Sequence, residues 1–208
     1  RASGGVDFRR VNLGLFQLAI DEVESIEISG GGEDDTLTVG PLINSNLREI
    51  HFDGRDGDDV LTFTVSGKTI DQKVFADGGA GDDILTGGAN SDVLIGGTGN
   101  DILIAGRGDD ELLGGGGRDT FRFSDRNDTN TILDFGTNDI IDLALVTDAK
   151  GQDIISFDQL LDNHIVPLGS NVAIENLNRT SIILNDVNIG DLRSKNFLLE
   201  SNLSTESI

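Results

Sequence analysis

Residues 78–122 divide without gaps into five consecutive blocks of nine residues. The blocks read GGAGDDILT, GGANSDVLI, GGTGNDILI, AGRGDDELL and GGGGRDTFR. They fit the pattern G-G-x-G-x-D-x-U-x, with U a large apolar residue, apart from Asn90 at one fourth position and Ala105 at one first position. Tandem repetition at this period is typical of a parallel β-helix, in which each repeat contributes one turn and one short strand. The strict phasing argues against a disordered acidic linker, which is the alternative that a glycine- and aspartate-rich composition suggests.

Two positions of the nonapeptide carry its chemistry. The sixth position is aspartate in all five blocks, and the eighth is leucine in four blocks and phenylalanine in the last. Because side chains alternate along a strand, the eighth-position residue points to the inside of the coil. The sequence therefore predicts a thin apolar core with a carboxylate at every turn.

A second repeat with a longer period precedes the first. Residues 23–39, 47–63 and 71–87 align without gaps at a spacing of 24, and apolar residues alternate with polar ones in VESIEIS and LREIHFD, which is typical of half-buried strands. Two nonapeptides form one 18-residue coil, so a 24-residue unit is interpreted as one coil with a single glycine-aspartate turn and a longer, metal-free turn opposite. The predicted fold is all-β: a right-handed parallel β-roll, a form of β-helix or solenoid, with a C-terminal capping region.

The composition of the turns predicts calcium sites. Glycine allows a turn to direct its carbonyl oxygens inward, and calcium takes six to eight oxygen ligands, which two stacked turns can supply together. Stacking predicts about five ions, each shared by two sixth-position aspartates. On one side of the roll these pairs are Asp35–Asp59, Asp59–Asp83, Asp83–Asp101 and Asp101–Asp119, and on the other side the pair is Asp92–Asp110. Glu33 and Arg55 replace turn glycines, so both disfavour the Asp35–Asp59 ion, and Arg55 also disfavours the neighbouring Asp59–Asp83 ion.

These repeats resemble those of the RTX (repeats-in-toxin) family, the hemolysin-type calcium-binding proteins. The resemblance implies carbonyl ligands at odd-numbered turn positions. In two stacked turns these are Gly78, Ala80 and Asp82, and Gly96, Thr98 and Asn100. Residues 119–143 resemble the stretch that ends many such arrays, where Asp134, Asp139 and Asp142 are candidates for a further ion. The resemblance also implies export by a type I secretion system of a chain that stays unfolded at cytosolic calcium and folds outside the cell.

Charge and motifs exclude several classes of function. The formal net charge is −22, and no basic patch suited to phosphates is visible, so neither nucleic acid nor an anionic membrane surface is an expected partner. There is no long apolar run, and membrane insertion is not expected. The sequence contains no H-E-x-x-H and no G-x-S-x-G motif, and the chain is predicted not to be an enzyme.

The glycine repeat is lost after residue 143. A short helix is predicted over 157–163, a hairpin over 171–184, and a short helix or turn followed by an apolar strand over 189–199. This tail is expected to cap the open end of the roll, as repeat arrays require, and it resembles the C-terminal targeting region of type I secreted proteins.

The chain is thus interpreted as three segments. Residues 1–77 are the 24-residue coils, residues 78–122 the regular calcium β-roll, and residues 123–208 the cap and secretion region. The predicted function is that of a secreted, extracellular calcium-binding module that supports export and stability of a larger protein.

Two alternative functions are possible for such a sequence. The first is a polysaccharide-binding module of an epimerase or adhesin, for which Arg48, Lys68, Lys73 and Phe75 are candidate contacts. The second is an enzyme such as a hydrolase, which requires a catalytic cluster that the sequence does not offer.

Overall fold

The computed structural model describes residues 8–9, 24–39, 47–63, 72–124, 128–154, 156–175, 177–178 and 180–199. Strands β1 to β13 lie at Phe8–Arg9, Ser25–Gly31, Thr36–Val39, Glu49–Asp56, Val60–Phe63, Lys73–Ala80, Ile84–Thr86, Val93–Thr98, Ile102–Ile104, Glu111–Gly116, Thr120–Arg122, Asp128–Ile132 and Ile140–Asp142. The helix α1 at Phe157–Asn163 follows, and then strands β14 to β17 at Ile165–Leu168, Asn171–Ile174, Thr180–Leu184 and Phe197–Leu198. Two 3-10 helices lie at Ile189–Asp191 and Ser194–Asn196.

Within the described residues the strands form two sheets, and the chain passes from one to the other at almost every turn. The ten-stranded sheet has the order β1-β2-β4-β6-β8-β10-β12-β16-β15-β14, and the seven-stranded sheet has the order β17-β13-β11-β9-β7-β5-β3. From β2 to β13 even-numbered strands enter the first sheet and odd-numbered strands the second, and neighbours in each sheet are parallel. Each coil therefore contributes one strand to each sheet, which confirms the predicted parallel β-roll.

The register shows how coils of different length stack. Ile26 pairs with Ile50 and Ile50 with Val74, at a spacing of 24 residues. Phe75 then pairs with Val93, at a spacing of 18. The prediction that both units are one full coil is confirmed. After β10 the spacing becomes 20 residues, because β12 and β13 each lie 20 positions beyond their partners in β10 and β11; this third coil length was not predicted.

The core of the repeats is a thin file of eighth-position side chains, which come alternately from the two sheets along the chain. In β7, β9 and β11 only the central residue is buried, and its two neighbours are half-buried. The residues of this file with no exposed surface are Leu61, Leu85, Leu94, Leu103, Leu112 and Phe121. Burial of each stabilises the fold by roughly 1.5–3 kcal/mol relative to exposure. Because this core is narrow, the turns must supply much of the remaining stability of the fold.

The tail caps the last coil, as predicted. The helix over 157–163 is confirmed, and Ser156 caps it by accepting a hydrogen bond from the Gln159 backbone N–H. The predicted hairpin is confirmed as the antiparallel pair β15–β16, and β16 adds to β12 in parallel. Because β16 covers the edge of β12 and β17 covers that of β13, the roll does not end in two unpaired strands. In the described part of the chain, no helix is long and apolar enough to cross a membrane.

Candidate metal centre

The sixth-position aspartates of the first side form a continuous column. Asp83 Oδ1 accepts a hydrogen bond from the Asp59 backbone N–H at 2.7 Å, and Asp101 Oδ1 accepts one from the Asp83 N–H at 2.8 Å. The same bond joins Asp59 to Asp35, Asp119 to Asp101, and Asp139 to Asp119. The structure thus brings together every first-side pair that stacking predicted, and from Asp59 onward one carboxylate oxygen of each aspartate accepts a hydrogen bond from the preceding coil.

A second, shorter column lies on the other side of the roll. Asp110 Oδ1 accepts from the Asp92 N–H at 2.8 Å, and Asp92 Oδ1 accepts from the Val74 N–H at 2.7 Å. Upstream of Val74 the equivalent positions are Ile50 and Ile26, which are both buried. In the described part of the 24-residue coils, apolar residues therefore occupy the positions that carry the carboxylates of this column.

The other oxygen of most column carboxylates has no partner among the described atoms. The buried atoms without a hydrogen bond include Oδ2 of Asp59, Asp83, Asp101 and Asp110, and each of these residues is at most 1 % exposed. A buried carboxylate that lacks a partner costs several kcal/mol unless a cation or a proton neutralises it. These four oxygens therefore require a positive charge that the described side chains do not supply.

Backbone carbonyls converge on the same places. A methyl group added at Gly30 would lie 2.8 Å from Asp35 Oδ2 and 2.6 Å from the Gly54 carbonyl oxygen. At Gly78 the same position contacts Asp83 Oδ2 and lies 2.7 Å from the carbonyl oxygen of Gly96. The absence of a side chain at the first turn position thus leaves room in which a carboxylate of one coil faces a carbonyl of the next.

The strand register is interrupted at this first turn position in each pair of coils. Between β4 and β6 the paired residues include Asp53–Asp77 and Arg55–Gly79 but omit the glycines between them. The pairs β2–β4, β6–β8 and β8–β10 omit the equivalent glycines. The peptide that carries the candidate carbonyl ligand is therefore the one that leaves the regular strand pairing.

Burial perturbs the column carboxylates strongly. Desolvation raises the pKa of Asp110 to about 8 and the pKa values of Asp83 and Asp92 to about 7. It also raises the pKa values of Asp59 and Asp101 to about 6. Backbone hydrogen bonds partly oppose the shift in all five, and neighbouring aspartates add to it in all but Asp92. Without a cation, the folded roll therefore favours protonated carboxyl groups.

The donor set fits a hard cation. Among the described residues there is no group of three or more His, Cys, Asp or Glu side chains placed to hold a metal ion. A bound ion must therefore combine carboxylate oxygens with backbone carbonyls, and calcium accepts such all-oxygen ligand sets. Zinc is disfavoured, since its sites draw on cysteine and histidine, and the chain has no cysteine and only two histidines.

The structure places the six carbonyl ligands implied by family resemblance in three settings. Gly78 and Gly96 occupy the first turn position described above, and Asp82 and Asn100 lie on the outer rim, where Asp82 Oδ1 accepts from the Asn100 N–H at 2.7 Å. The third-position carbonyls join neighbouring coils, because the Ala80 oxygen accepts from the Gly57 N–H and the Thr98 oxygen from the Gly81 N–H. These two oxygens keep one lone pair for an ion.

The three acids after the regular repeats have different roles. Asp139 extends the first column, since its Oδ1 accepts from Asp119 and its Oδ2 from the Gly136 N–H. Asp134 bonds the turn of the preceding coil, because its two carboxylate oxygens accept hydrogen bonds from the Gly114 and Gly115 N–H groups at 2.9 and 2.7 Å. Asp142 stands apart from the column, and its Oδ2 binds Arg122 Nε at 2.8 Å.

Arg55 departs from the repeat pattern, and its backbone conformation lowers the stability of the fold. This residue occupies a second turn position with φ +84°, a conformation that glycine adopts freely and other residues rarely. Such strain costs of the order of 1–3 kcal/mol. The side chain bonds Asp53 at 3.1 Å on the exposed surface, which recovers little of that cost. Asp35 is also only half-buried, so the first pair of the column is the least enclosed.

Two residues of the second column were not anticipated from the sequence. Asn130 Oδ1 accepts from the Asp110 N–H at 3.2 Å, so Asn130 occupies the sixth position of a further turn. Asp128, two residues earlier, is only 8 % exposed and occupies a position where the repeat has glycine. A spacing of 20 residues, seen also from Asp119 to Asp139, is the signal that could have identified this turn.

The raised pKa values predict that, at acidic pH, protons partly replace the cation in neutralising the buried carboxylates. Each of these carboxyl groups has a folded-state pKa above its ordinary value of 3.8, so the folded state binds more protons than the unfolded state. Their contribution to stability is complete below about pH 4 and is lost as the pH rises through the range of about 6 to 8. We expect metal-free protein to show more β-structure by circular dichroism at pH 5 than at pH 8. An equal or larger β signal at pH 8 would contradict this reading of the buried carboxylates.

Comparison with known proteins agrees with this geometry. Residues 75–103, 86–121 and 95–129 match the family model described as RTX calcium-binding nonapeptide repeat, with four copies. The fold is thus a parallel β-roll, and within it residues 75–129 match a repeat that is a structural calcium-binding module.

One solved structure similar to this chain is that of the extracellular lipase LipA from Serratia marcescens. The two share 15% sequence identity with a TM-score of 0.41, and the alignment covers 93% of this chain. The chain spans 42% of the length of that lipase chain. A search of the curated proteins found no match.

Proposed function

We propose that this chain is a calcium-responsive β-roll module that folds outside the cell and supports the export and stability of a larger secreted protein. The observation that carries the proposal is the set of buried Oδ2 atoms without a partner at Asp59, Asp83, Asp101 and Asp110. Each lies in a turn of the repeat that matches, or extends in register, the calcium-binding family pattern.

The electrostatics explain why such a module responds to calcium. With a formal charge of −22, and with carboxylates stacked one above another in two columns, the chain repels itself in the compact state. Extracellular calcium modules typically bind at roughly 10⁻⁴–10⁻³ M. With free calcium at about 100 times the dissociation constant, each independent site stabilises the fold by about 2.7 kcal/mol. About five sites are enough to move the chain from unfolded in the cytosol to folded in the medium.

The three segments have separate roles in this proposal. Residues 78–122 bind most of the ions, the coils within residues 1–77 extend the roll, and residues 123–208 cap it and engage the type I secretion machinery. The cap role is supported by the pairing of β16 with β12 and of β17 with β13. The catalytic or adhesive activity of the larger protein belongs to another region.

A calcium titration followed by far-UV circular dichroism tests the proposed function. We expect a cooperative change from coil to β-structure at sub-millimolar to millimolar calcium, with no equivalent change in magnesium. Magnesium is the matched control because it demands a small, near-ideal octahedral site and gives up its water reluctantly. A chain that is fully folded in chelator at neutral pH and indifferent to calcium would overturn the proposal.

A polysaccharide-binding role is the second candidate, and one group on the outer face favours it. His51 and Phe75 stack at 4.7 Å between ring centroids, and Lys73 Nζ lies 4.6 Å from the centroid of the Phe75 ring. Lys73 is the cation placed against this pair of rings. Arg48 is exposed just before β4, and Lys68 lies outside the described residues. Retention of the calcium-loaded chain on an alginate column, lost in the Phe75→Ala variant, is the expected result. Equal elution of both proteins with the buffer front would exclude this role.

A further inference from the structure

Three aspartates of the 24-residue coils are followed directly by glycine, in the pairs Asp53–Gly54, Asp56–Gly57 and Asp77–Gly78. Glycine has no side chain to shield its backbone nitrogen, so in an unfolded chain the preceding carboxyl group can reach that nitrogen. The sixth-position aspartates of the two columns differ, because all but Asp110 are followed by a β-branched residue that crowds the nitrogen. These residues are Thr36, Val60, Ile84, Val93, Ile102 and Thr120. The columns are thus shielded by their own sequence, whereas the Asp-Gly pairs depend on the fold for protection.

In the folded roll the Asp56 side chain cannot attack the Gly57 nitrogen. The Gly57 N–H donates a hydrogen bond to the Ala80 carbonyl oxygen of the next coil at 2.8 Å. Asp56 is the last residue of β4 and pairs with Ala80, which holds its backbone extended. Attack on the nitrogen would require rotation of this backbone and loss of that hydrogen bond. The Asp56 side chain itself is exposed, so the stacking of the coils is what protects this pair.

We propose that Asp56–Gly57 is a site of spontaneous isoaspartate formation, which is reactive in the calcium-free chain and protected when calcium stacks the coils. The Gly57 nitrogen attacks the carboxyl carbon of the Asp56 side chain, and the amide proton and the carboxyl hydroxyl group leave as one water molecule. Water then adds to the main-chain carbonyl of the five-membered imide and breaks its bond to the Gly57 nitrogen. The main chain now runs through the side chain of residue 56, with no net change in composition and no oxidation or reduction.

The isomerised chain would have a backbone longer by one carbon atom, and the structure has no room for it. Gly57 has φ +123°, and a methyl group added there would lie 2.6 Å from the Glu33 carbonyl carbon and 2.9 Å from the Asp34 nitrogen. On the other side, the Gly57 carbonyl oxygen occupies the place of a side chain at Gly81. Gly57 is therefore enclosed by the backbones of both neighbouring coils, and an isoaspartate at residue 56 would prevent the coils from stacking.

This site would limit the time for which the calcium-free chain can still fold. The inference rests on the proposed function, because calcium-driven folding is what protects the pair. A chain that reaches calcium soon after synthesis keeps Asp56 intact, whereas a chain held without calcium accumulates a product that cannot form the roll.

The test is incubation of the full chain at neutral pH in chelator and in calcium, with isoaspartate at residue 56 measured by peptide mapping. The isomer has an unchanged mass and a different retention time. With free calcium at about 100 times the dissociation constant, one bound ion lowers the population of the open chain about 100-fold. We therefore expect isoaspartate to form at least about 100-fold more slowly in calcium than in chelator.

Asp56→Glu is the variant that keeps the charge but cannot close a five-membered ring. It should form no isomer at residue 56, and after incubation in chelator it should recover more β signal than the wild type when calcium is added. Asp162→Glu is the matched control, since Asp162 is an exposed residue of α1, and it should form the isomer at residue 56 at the wild-type rate. The wild-type comparison remains decisive even if Asp56→Glu does not fold.

Circular dichroism of the same samples separates this inference from the proposed function. A chain that is unfolded in chelator and folded in calcium, yet forms isoaspartate at residue 56 at the same rate in both, would overturn the inference and leave the proposed function standing. A chain that is folded in chelator and indifferent to calcium would remove the proposed function, and with it the calcium dependence of this site.

Discussion

Replacement of Gly97 by alanine is expected to destabilise the calcium-loaded roll by about 2–6 kcal/mol, which is the sum of backbone strain and overpacking. Gly97 has φ +113°, and a methyl group there would overlap the Gly79 carbonyl oxygen of the preceding coil and lie 2.8 Å from its carbonyl carbon. These neighbours are backbone atoms, so the added group can be accommodated only by separating the coils. Separation of the coils would also disturb the ion sites between them.

Gly116→Ala is the matched control for this substitution. Gly116 belongs to the same kind of turn, but a methyl group there would meet no atom within 4 Å, and its φ is not positive. We expect the control to change stability by no more than about 0.5 kcal/mol. Urea unfolding of both variants in saturating calcium measures the difference. Equal midpoints for the two variants would mean that the coils do not stack as closely as the structure shows.

Asp83→Asn is expected to remove two calcium ions and to cost about 5 kcal/mol at calcium concentrations of about 100 times the dissociation constant, if the two sites are independent. Asp83 lies in the middle of the first column, where its carboxylate adjoins the turns of both Asp59 and Asp101. The asparagine retains an oxygen for the Asp59 N–H. The loss therefore reports on charge and ion binding rather than on a broken hydrogen bond.

Asp82→Asn is the control for the change in charge. Asp82 is the preceding residue, it is exposed, and its Oδ1 accepts from the Asn100 N–H, which an asparagine can also satisfy. We expect this variant to bind the same number of ions as the wild type, with a calcium midpoint close to the wild-type value. If both variants needed the same higher calcium concentration to fold, the effect would come from net charge, and the buried column would have no special role.

The repeats by themselves were enough to predict the parts of this protein that depend on local chemistry. The nine-residue phasing of aspartate and leucine predicted which side chains are buried and which aspartates stack, because a repeated turn and strand can stack in only one register without exposing its leucines. The same reasoning equated the 24-residue unit with one coil, which the pairing of Ile26, Ile50 and Val74 confirms. The helix over 157–163 and the hairpin over 171–184 followed from their own patterns and are also confirmed.

The end of the second column could not be predicted in this way. The turn that contains Asp128 and Asn130 has none of the glycines that mark the others, so nothing local identifies it as a turn of the roll. The position of this turn is set by hydrogen bonds to the previous coil. The Asp110 N–H donates to Asn130 Oδ1, and the Thr129 N–H donates to the Asp109 carboxylate.

The sequence by itself therefore determined the class of fold, the spacing of the coils that carry the repeat, and the residue types available to a cation. The tertiary structure decided which oxygens remain without a partner. The third-position carbonyls of Ala80 and Thr98 bond the preceding coil, while Oδ2 of Asp83 has no described partner. The physical reason is that a periodic sequence specifies each turn alone, whereas hydrogen bonds and burial arise only between turns that are stacked.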